Sequence, residues 1–259
     1  MAQVELLFLG TGTSAGIPMI GCHCPVCTSS DPRDQRTRPS VLISYSGTDV
    51  LVDTTPELRL QCVANHVDRI DAVVFTHAHA DHIMGLDDVR RFNAIKQGPL
   101  DVYAEPATHA MLQRCFGYAF MEPDRDLKVF RPHLVSRTIT GPFDIAGATW
   151  TPIRLFHGEM PVLGFRVGNL AYCTDVSRIP EESFPLLENL DVLILDALQW
   201  KPHTTHFSVD QAVEASRRIG AKRTLFTHIA HGLAAADESK LPPTMELAYD
   251  GLKVSASLK

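Results

Sequence analysis

His77-Ala78-His79-Ala80-Asp81-His82 follows directly on the short apolar run 72–75, and this hexapeptide decides the fold. One His-x-His pair arises by chance often enough to mean little. Here, however, the pattern recurs along the chain. The strand candidate 152–156 leads into His157, 170–174 into Asp175, and 223–227 into His228. Four separate strands each stop at a residue able to bind a borderline metal ion. If those ends converge, seven imidazoles and carboxylates meet, too many for one ion but suited to two. The partition expected is His77, His79 and His157 on one ion, Asp81, His82 and His228 on the other, with Asp175 bridging.

The rest of the chain is consistent with such a scaffold. Its 259 residues are 45% hydrophobic and 21% charged, enough to bury a core, and no linker or composition break divides them. A single domain over 1–259 is expected. The net charge of −6 argues against a general nucleic-acid coat, which relies on Lys and Arg to neutralise phosphates. No stretch approaches the roughly 18 apolar residues that cross a bilayer, and the N-terminus lacks a basic leader. The sequence therefore predicts a soluble, cytoplasmic protein without a membrane partner.

Strands are expected over 4–9, 41–45, 49–52, 72–75 and 100–104 in the first half, and over 150–155, 163–167, 170–173, 192–195, 224–226 and 252–255 in the second. Helices are expected from Pro56 to about His66, over 83–93, over 106–116, over 208–219 with Ser208 as N-cap, and in the C-terminal piece before 252. Residues 117–132 read as an irregular insertion. Strand-rich halves interleaved with helices suggest packed sheets with helices outside.

The three cysteines Cys22, Cys24 and Cys27 crowd into the loop at about 21–38. In a chain without a secretion signal such a cluster reads as metal ligands rather than bridges. A tetrahedral structural zinc wants a fourth ligand, and His231, three residues after His228, can supply it. The competing readings are a metal-free reduced cluster and a redox pair.

The hexapeptide matches the HxHxDH motif of the metallo-β-lactamase superfamily, and His157, Asp175 and His228 fall in that superfamily's order. The chain resembles that superfamily over most of its length. The resemblance implies an α/β (α+β) αββα sandwich of two mixed sheets with helices on the outer faces and metals at one edge between the sheets. Together with Gly10-Thr11-Gly12, the C-x-C-x-x-C loop and the closing Thr227-His228-Ile229-Ala230-His231, it resembles the PhnP-like phosphoribosyl cyclic phosphate phosphodiesterases. That likeness implies two divalent ions (Zn or Mn), one structural Zn, a small cyclic phosphodiester as substrate and a homodimer. Similar cysteine loops occur in PqqB proteins of quinone-cofactor biosynthesis.

His206 is placed where the PhnP-like family and the tRNA 3′-processing nucleases have a histidine. The resemblance implies proton donation to the leaving alkoxide, or a hold on a phosphoryl oxygen. A surface histidine at a helix start is the competing reading, with His203 as a nearby decoy. The chemistry expected is attack on phosphorus by hydroxide bridging the two ions, with Asp81 aligning it. A tRNA 3′-end endonuclease would need an RNA-gripping arm and a basic surface. The same motifs also leave room for a PqqB-like protein, a thioester or lactone hydrolase, or a non-catalytic zinc scaffold.

Weaker features remain open. The spacing from Gly10 to Gly16 misses the dinucleotide fingerprint and reads as a tight turn. Asp53 either orients a ligand histidine or caps a helix. Arg90 and Arg91 suit a second phosphate or plain solvent exposure. Asp196 ends a strand with no role assigned.

Overall fold

The computed structural model describes residues 2–122 and 130–258. The apolar runs of the strands are continuous rather than alternating, because both faces of each sheet are covered. In Gln3–Gly10, for instance, Val4, Leu6 and Phe8 point between the sheets, while Leu7 and Leu9 point to the helices outside. Val192 and Ile194 against Leu193 and Leu195 repeat this in the second sheet.

Among the described residues the strands form two seven-stranded sheets. The first runs Lys253–Ser257, Gln3–Gly10, Ser40–Tyr45, Thr48–Val52, Ala72–Val74, Leu100–Ala104, Leu134–Thr138. Its last four strands are mutually parallel. The second runs Met245–Leu247, Arg223–Thr227, Val192–Asp196, Leu170–Cys173, Met160–Val167, Ala148–His157, Phe143–Ile145, with its first four strands parallel.

Three apolar clusters follow from this layering. One fills the space between the sheets, where the Trp150 indole donates to the Tyr45 hydroxyl at 2.9 Å and that hydroxyl donates to the Ile145 carbonyl at 2.9 Å. A second packs Val209–Ile219 on the second sheet, and a third packs Leu58–Ala64, Arg90–Lys96 and Pro106–Phe116 on the first. The architecture is the αββα sandwich, with the mixed sheets and outer helices that the resemblance implied. No helix of the described residues is long and apolar enough to cross a membrane.

Local chemistry explains the helix ends. Ser208 and Gln211 exchange side-chain and backbone hydrogen bonds in a capping box, and Gly220 closes the helix at φ 71°. The helix expected over 83–93 is instead broken into Ala80–Ile83, a 3₁₀ turn Leu86–Val89 and Arg90–Lys96. Gly85 is the reason: its N–H donates to the Thr54 carbonyl at 3.0 Å, and a Cβ there would stand 1.9 Å from the Thr55 carbonyl oxygen. The expected C-terminal helix is a 3₁₀ segment, Ala235–Lys240, followed by the strand Met245–Leu247. Pro242 and Pro243 lack the N–H groups a longer helix would need. The helix expected from Pro56 starts at Leu58. Three short strands at Leu134–Thr138, Phe143–Ile145 and Met245–Leu247 go beyond the sequence reading. Within the insertion expected at 117–132, Gly117–Ala119 forms a 3₁₀ turn, and 123–129 lie outside the described residues.

The parallel strands put their C-terminal ends at one edge. Val52 pairs with Val74 in the first sheet, and Cys173, Leu195 and Phe226 lie in register in the second. A backbone bond from Leu163 N–H to the Thr76 carbonyl, 3.1 Å, ties the sheets together at that edge. Gly85→Ala should displace the 53–55 loop from this edge and cost roughly 3 kcal/mol or more. Urea denaturation checks this, and a midpoint equal to wild type would contradict the close-approach reading.

Candidate active site

The converging strand ends gather the histidines and aspartates. The Asp175 carboxylate lies 3.2 Å from His82 Nε2, 3.2 Å from His228 Nε2 and 4.0 Å from His77 Nε2. Asp81 lies 3.5 Å from His82 Nε2 and 3.8 Å from His228 Nε2. Ligand atoms fall within 4.8 Å of one another in the groups His77–His82–Asp175, Asp81–His82–His228 and His157–Asp175–His206. The exposed His79 lies outside these groups, its ring 4.6 Å from that of His77 and 5.1 Å from that of His157.

The backbone aims these side chains. Asp53, Asp175 and His228 each follow a strand with φ near +60° (63°, 58° and 59°), the left-handed region. Asp and His enter it more readily than most side chains, and such residues cluster at functional sites. Ring orientation is fixed from behind. His82 Nδ1 donates to Asp53 Oδ2 at 2.8 Å, and His157 Nδ1 donates to the Thr205 carbonyl at 2.7 Å. Asp53 also accepts from the Thr76 N–H and hydroxyl at 2.9 and 2.8 Å. Each such bond leaves the ring's Nε2 free, the arrangement behind a metal-binding histidine. His77, His82 and His228 have buried Nε2 atoms without a hydrogen-bond partner, an orphaning that proteins ordinarily avoid.

Electrostatics points the same way. Burial, with His82 beside it, pushes His77 well below the ordinary imidazole range. For His82 burial opposes charge, but the Asp175 and Asp53 carboxylates outweigh it and lift the ring well above that range. His228 is raised to about 9 against its burial by Asp175 and Asp81. Asp175, against the desolvation that would raise it, is held well below the carboxylate range by His228 and His82. The buried carboxylates thus demand positive charge, and divalent cations facing the orphaned nitrogens would supply it. The donor set of imidazoles and carboxylates fits such ions.

His206 is buried beside the cluster. Its ring stacks on His228 with centroids 4.6 Å apart and lies 4.4 Å from that of His157. Its Nδ1 donates to Asp196 Oδ2 at 2.6 Å, and Asp196 also accepts from the Val176 N–H at 2.7 Å. Asp196, to which the sequence assigned no role, therefore sets the orientation of His206. Asp53 orients His82, and Glu57 rather than Asp53 stands at the helix start. Both aspartates follow apolar strands directly, the signal that would have marked them. Arg90 pairs with Asp87, and with exposed Arg91 it lines a groove alongside Leu58, Cys62 and Ile95, apart from the histidines.

A second cluster adjoins the first. His231 Nδ1 stands 3.2, 3.4 and 3.7 Å from the sulfurs of Cys22, Cys24 and Cys27. One nitrogen facing three sulfurs fits a tetrahedral metal. The Cys27 backbone N–H helps draw the Cys24 thiol down to about 6. His228 and His231 belong to one turn, which the Thr11 carbonyl and Thr13 N–H clamp through Ile229 at 2.9 and 3.0 Å.

The family model of the β-lactamase superfamily domain matches residues 48–229. The chain belongs to the metallo-β-lactamase superfamily. Its fold and sequence are PhnP-like. It is 42% identical to a solved diphosphatase of the PhnP family, covering 98% of both chains at a TM-score of 0.91. An octanoyltransferase of Porphyromonas gingivalis is 35% identical over 260 residues, 96% of this chain and 51% of that protein. The chain thus spans about half the length of that curated relative. Zinc-bound PqqB of Methylobacterium extorquens shares the fold at 20% identity and a TM-score of 0.75, covering 96% of this chain and 99% of that one.

Asp53→Ala should weaken divalent-ion affinity roughly 10- to 100-fold, because His82 loses the partner that holds its ring. Competition with a chromogenic chelator reads this, and unchanged affinity would contradict the role given to Asp53.

Proposed function

We propose that the chain is a metal-dependent phosphodiesterase acting on a small, cyclic phosphate ester. The observation that carries it is the orphaned Nε2 set of His77, His82 and His228 around buried Asp175. His77, His79 and His157 would hold one ion, Asp81, His82 and His228 the other, with Asp175 shared. Cys22, Cys24, Cys27 and His231 would hold a structural zinc. Bound divalent ions supply Lewis acidity toward phosphoryl oxygens and lower the pKa of water toward neutrality. The protein's own groups do the rest. Asp81 faces the cluster and aligns the nucleophile. Asp196 holds Nδ1 of His206, so the proton that His206 gives to the leaving oxygen travels from Nε2. The PhnP-family diphosphatase, similar over nearly the whole chain, supports phosphorus rather than carbon as the electrophile.

A second reading, hydrolysis of an acyl thioester on the same metal ligands, draws on the similarity to about half the length of the octanoyltransferase, an acyl-transfer protein. Metal-reconstituted protein assayed against cyclic phosphodiesters, linear phosphodiesters and octanoyl thioesters separates the two. Turnover of the cyclic phosphodiesters and loss of nearly all of it on chelation are expected. Turnover of the thioester alone would overturn the phosphodiesterase reading. His206→Ala should lower kcat roughly 10²- to 10⁴-fold on an alkyl ester and far less on a nitrophenyl ester, whose leaving group needs no proton. Equal losses on both would remove His206 from the proton-donor role.

A further inference from the structure

The histidine and cysteine clusters meet in one turn. His228 follows the strand Arg223–Thr227, and His231, three residues on, faces the sulfurs of Cys22, Cys24 and Cys27. Three other segments strap that turn. Gly12 bridges Ile229, whose N–H and carbonyl both bond to the 11–13 loop. From the end of the strand Val192–Asp196, the Leu198 carbonyl accepts from the Ala230 N–H at 2.8 Å. The Leu198 N–H in turn donates at 3.0 Å to the carbonyl of Phe207, the residue after His206. The buried guanidinium of Arg36 fixes the 11–13 loop itself, donating to the Thr11 hydroxyl at 2.9 Å and to the Ala248 carbonyl.

The cysteine loop has no such straps. Met19, Cys22, Cys24 and Val26 rest on the outer apolar cluster of the second sheet. Among the described residues, however, residues 18–28 hydrogen-bond only to one another, to the adjoining Ser29 and to His231. His231 is thus the loop's polar tether to the body of the protein, through its ring and its carbonyl. An ion shared by the three sulfurs and His231 Nδ1 would fasten that tether, and the strapped turn passes the constraint to His228 as a rigid unit. His228 is sensitive to it, because its φ of 59° is kept only where the surroundings impose it.

We infer that the cysteine centre positions His228, so that filling it tightens the hold of Asp81, His82 and His228 on their ion. That role rests on the ligand partition given with the phosphodiesterase reading. Coupling between two binding sites is reciprocal, so ions at the histidines must tighten zinc at the cysteines by the same factor. His77, His79 and His157 sit on segments that share no backbone hydrogen bond with the turn among the described residues, and their ion responds far less.

Zinc and manganese separate the two centres, because thiolates favour zinc while imidazoles and carboxylates accept manganese. Metal-stripped wild-type protein receives one equivalent of zinc, and a zinc-selective fluorescent chelator reads its zinc affinity with and without saturating manganese. Electron paramagnetic resonance of the free manganese reports how much manganese the protein holds. Manganese should tighten zinc about tenfold. In Cys22→Ser that tightening should vanish, with the variant still holding manganese as the check that it is folded. Zinc affinity indifferent to bound manganese, or a tightening that survives Cys22→Ser, would overturn the coupling and leave the two-ion reading of the histidines intact. Wild-type protein that holds no manganese and no more than one zinc would overturn both.

Discussion

Asp175 is a carboxylate with almost no access to water, set among the imidazoles of His77, His82 and His228. A lone buried carboxylate is costly, so its neighbours must furnish positive charge or a metal must. Mutual attraction between these imidazoles and carboxylates, working against burial, pushes His82 and His228 up and Asp175 and Asp81 down. Divalent ions facing the same nitrogens would meet the same requirement. This one requirement organises the edge of the sandwich, because groups from both sheets must reach the same few ångströms.

The sandwich meets the requirement by dividing the labour. The first sheet and the turn after it supply His77, Asp81 and His82, with Asp53 behind. The second supplies His157, Asp175 and His228, with Asp196 behind His206. Two buried carboxylates thus stand outside the cluster, each fixing one ring. The turn from His228 to His231 belongs to both the histidine cluster and the cysteine cluster, so the N-terminal loop and the site share a wall. The left-handed backbone at Asp53, Asp175 and His228 turns each side chain inward as its strand ends.

Much of this is legible in the sequence because chemistry and strand ends coincide. The hexapeptide, His157, Asp175 and His228 each follow an apolar run, and their convergence needs only a common edge. Asp53 and Asp196 obey the same rule. A carboxylate after a strand also suits a helix cap or solvent, so only the 2.8 and 2.6 Å bonds to His82 and His206 assign them. The break near Gly85 is hidden because the residue it meets, Thr55, belongs to a distant loop. The edge strands Leu134–Thr138 and Phe143–Ile145 are hidden because they are short and partly exposed, without the apolar runs of the central strands. Helix Pro106–Phe116 is legible because Pro106 at its first turn and a regular pattern need no tertiary partner.

The proposed function rests on the two sheets bringing their histidines and aspartates together in an arrangement that would hold divalent ions. The decisive measurement is anomalous diffraction from crystals of the purified protein, recorded across the manganese, iron and zinc absorption edges. Two peaks are expected within coordination distance of His77, His82, His157, Asp175 and His228, and a further zinc peak among Cys22, Cys24, Cys27 and His231. A peak at the cysteines alone, with Asp175 hydrogen-bonded only to protonated imidazoles or water, would refute the metal-holding role of the histidine cluster.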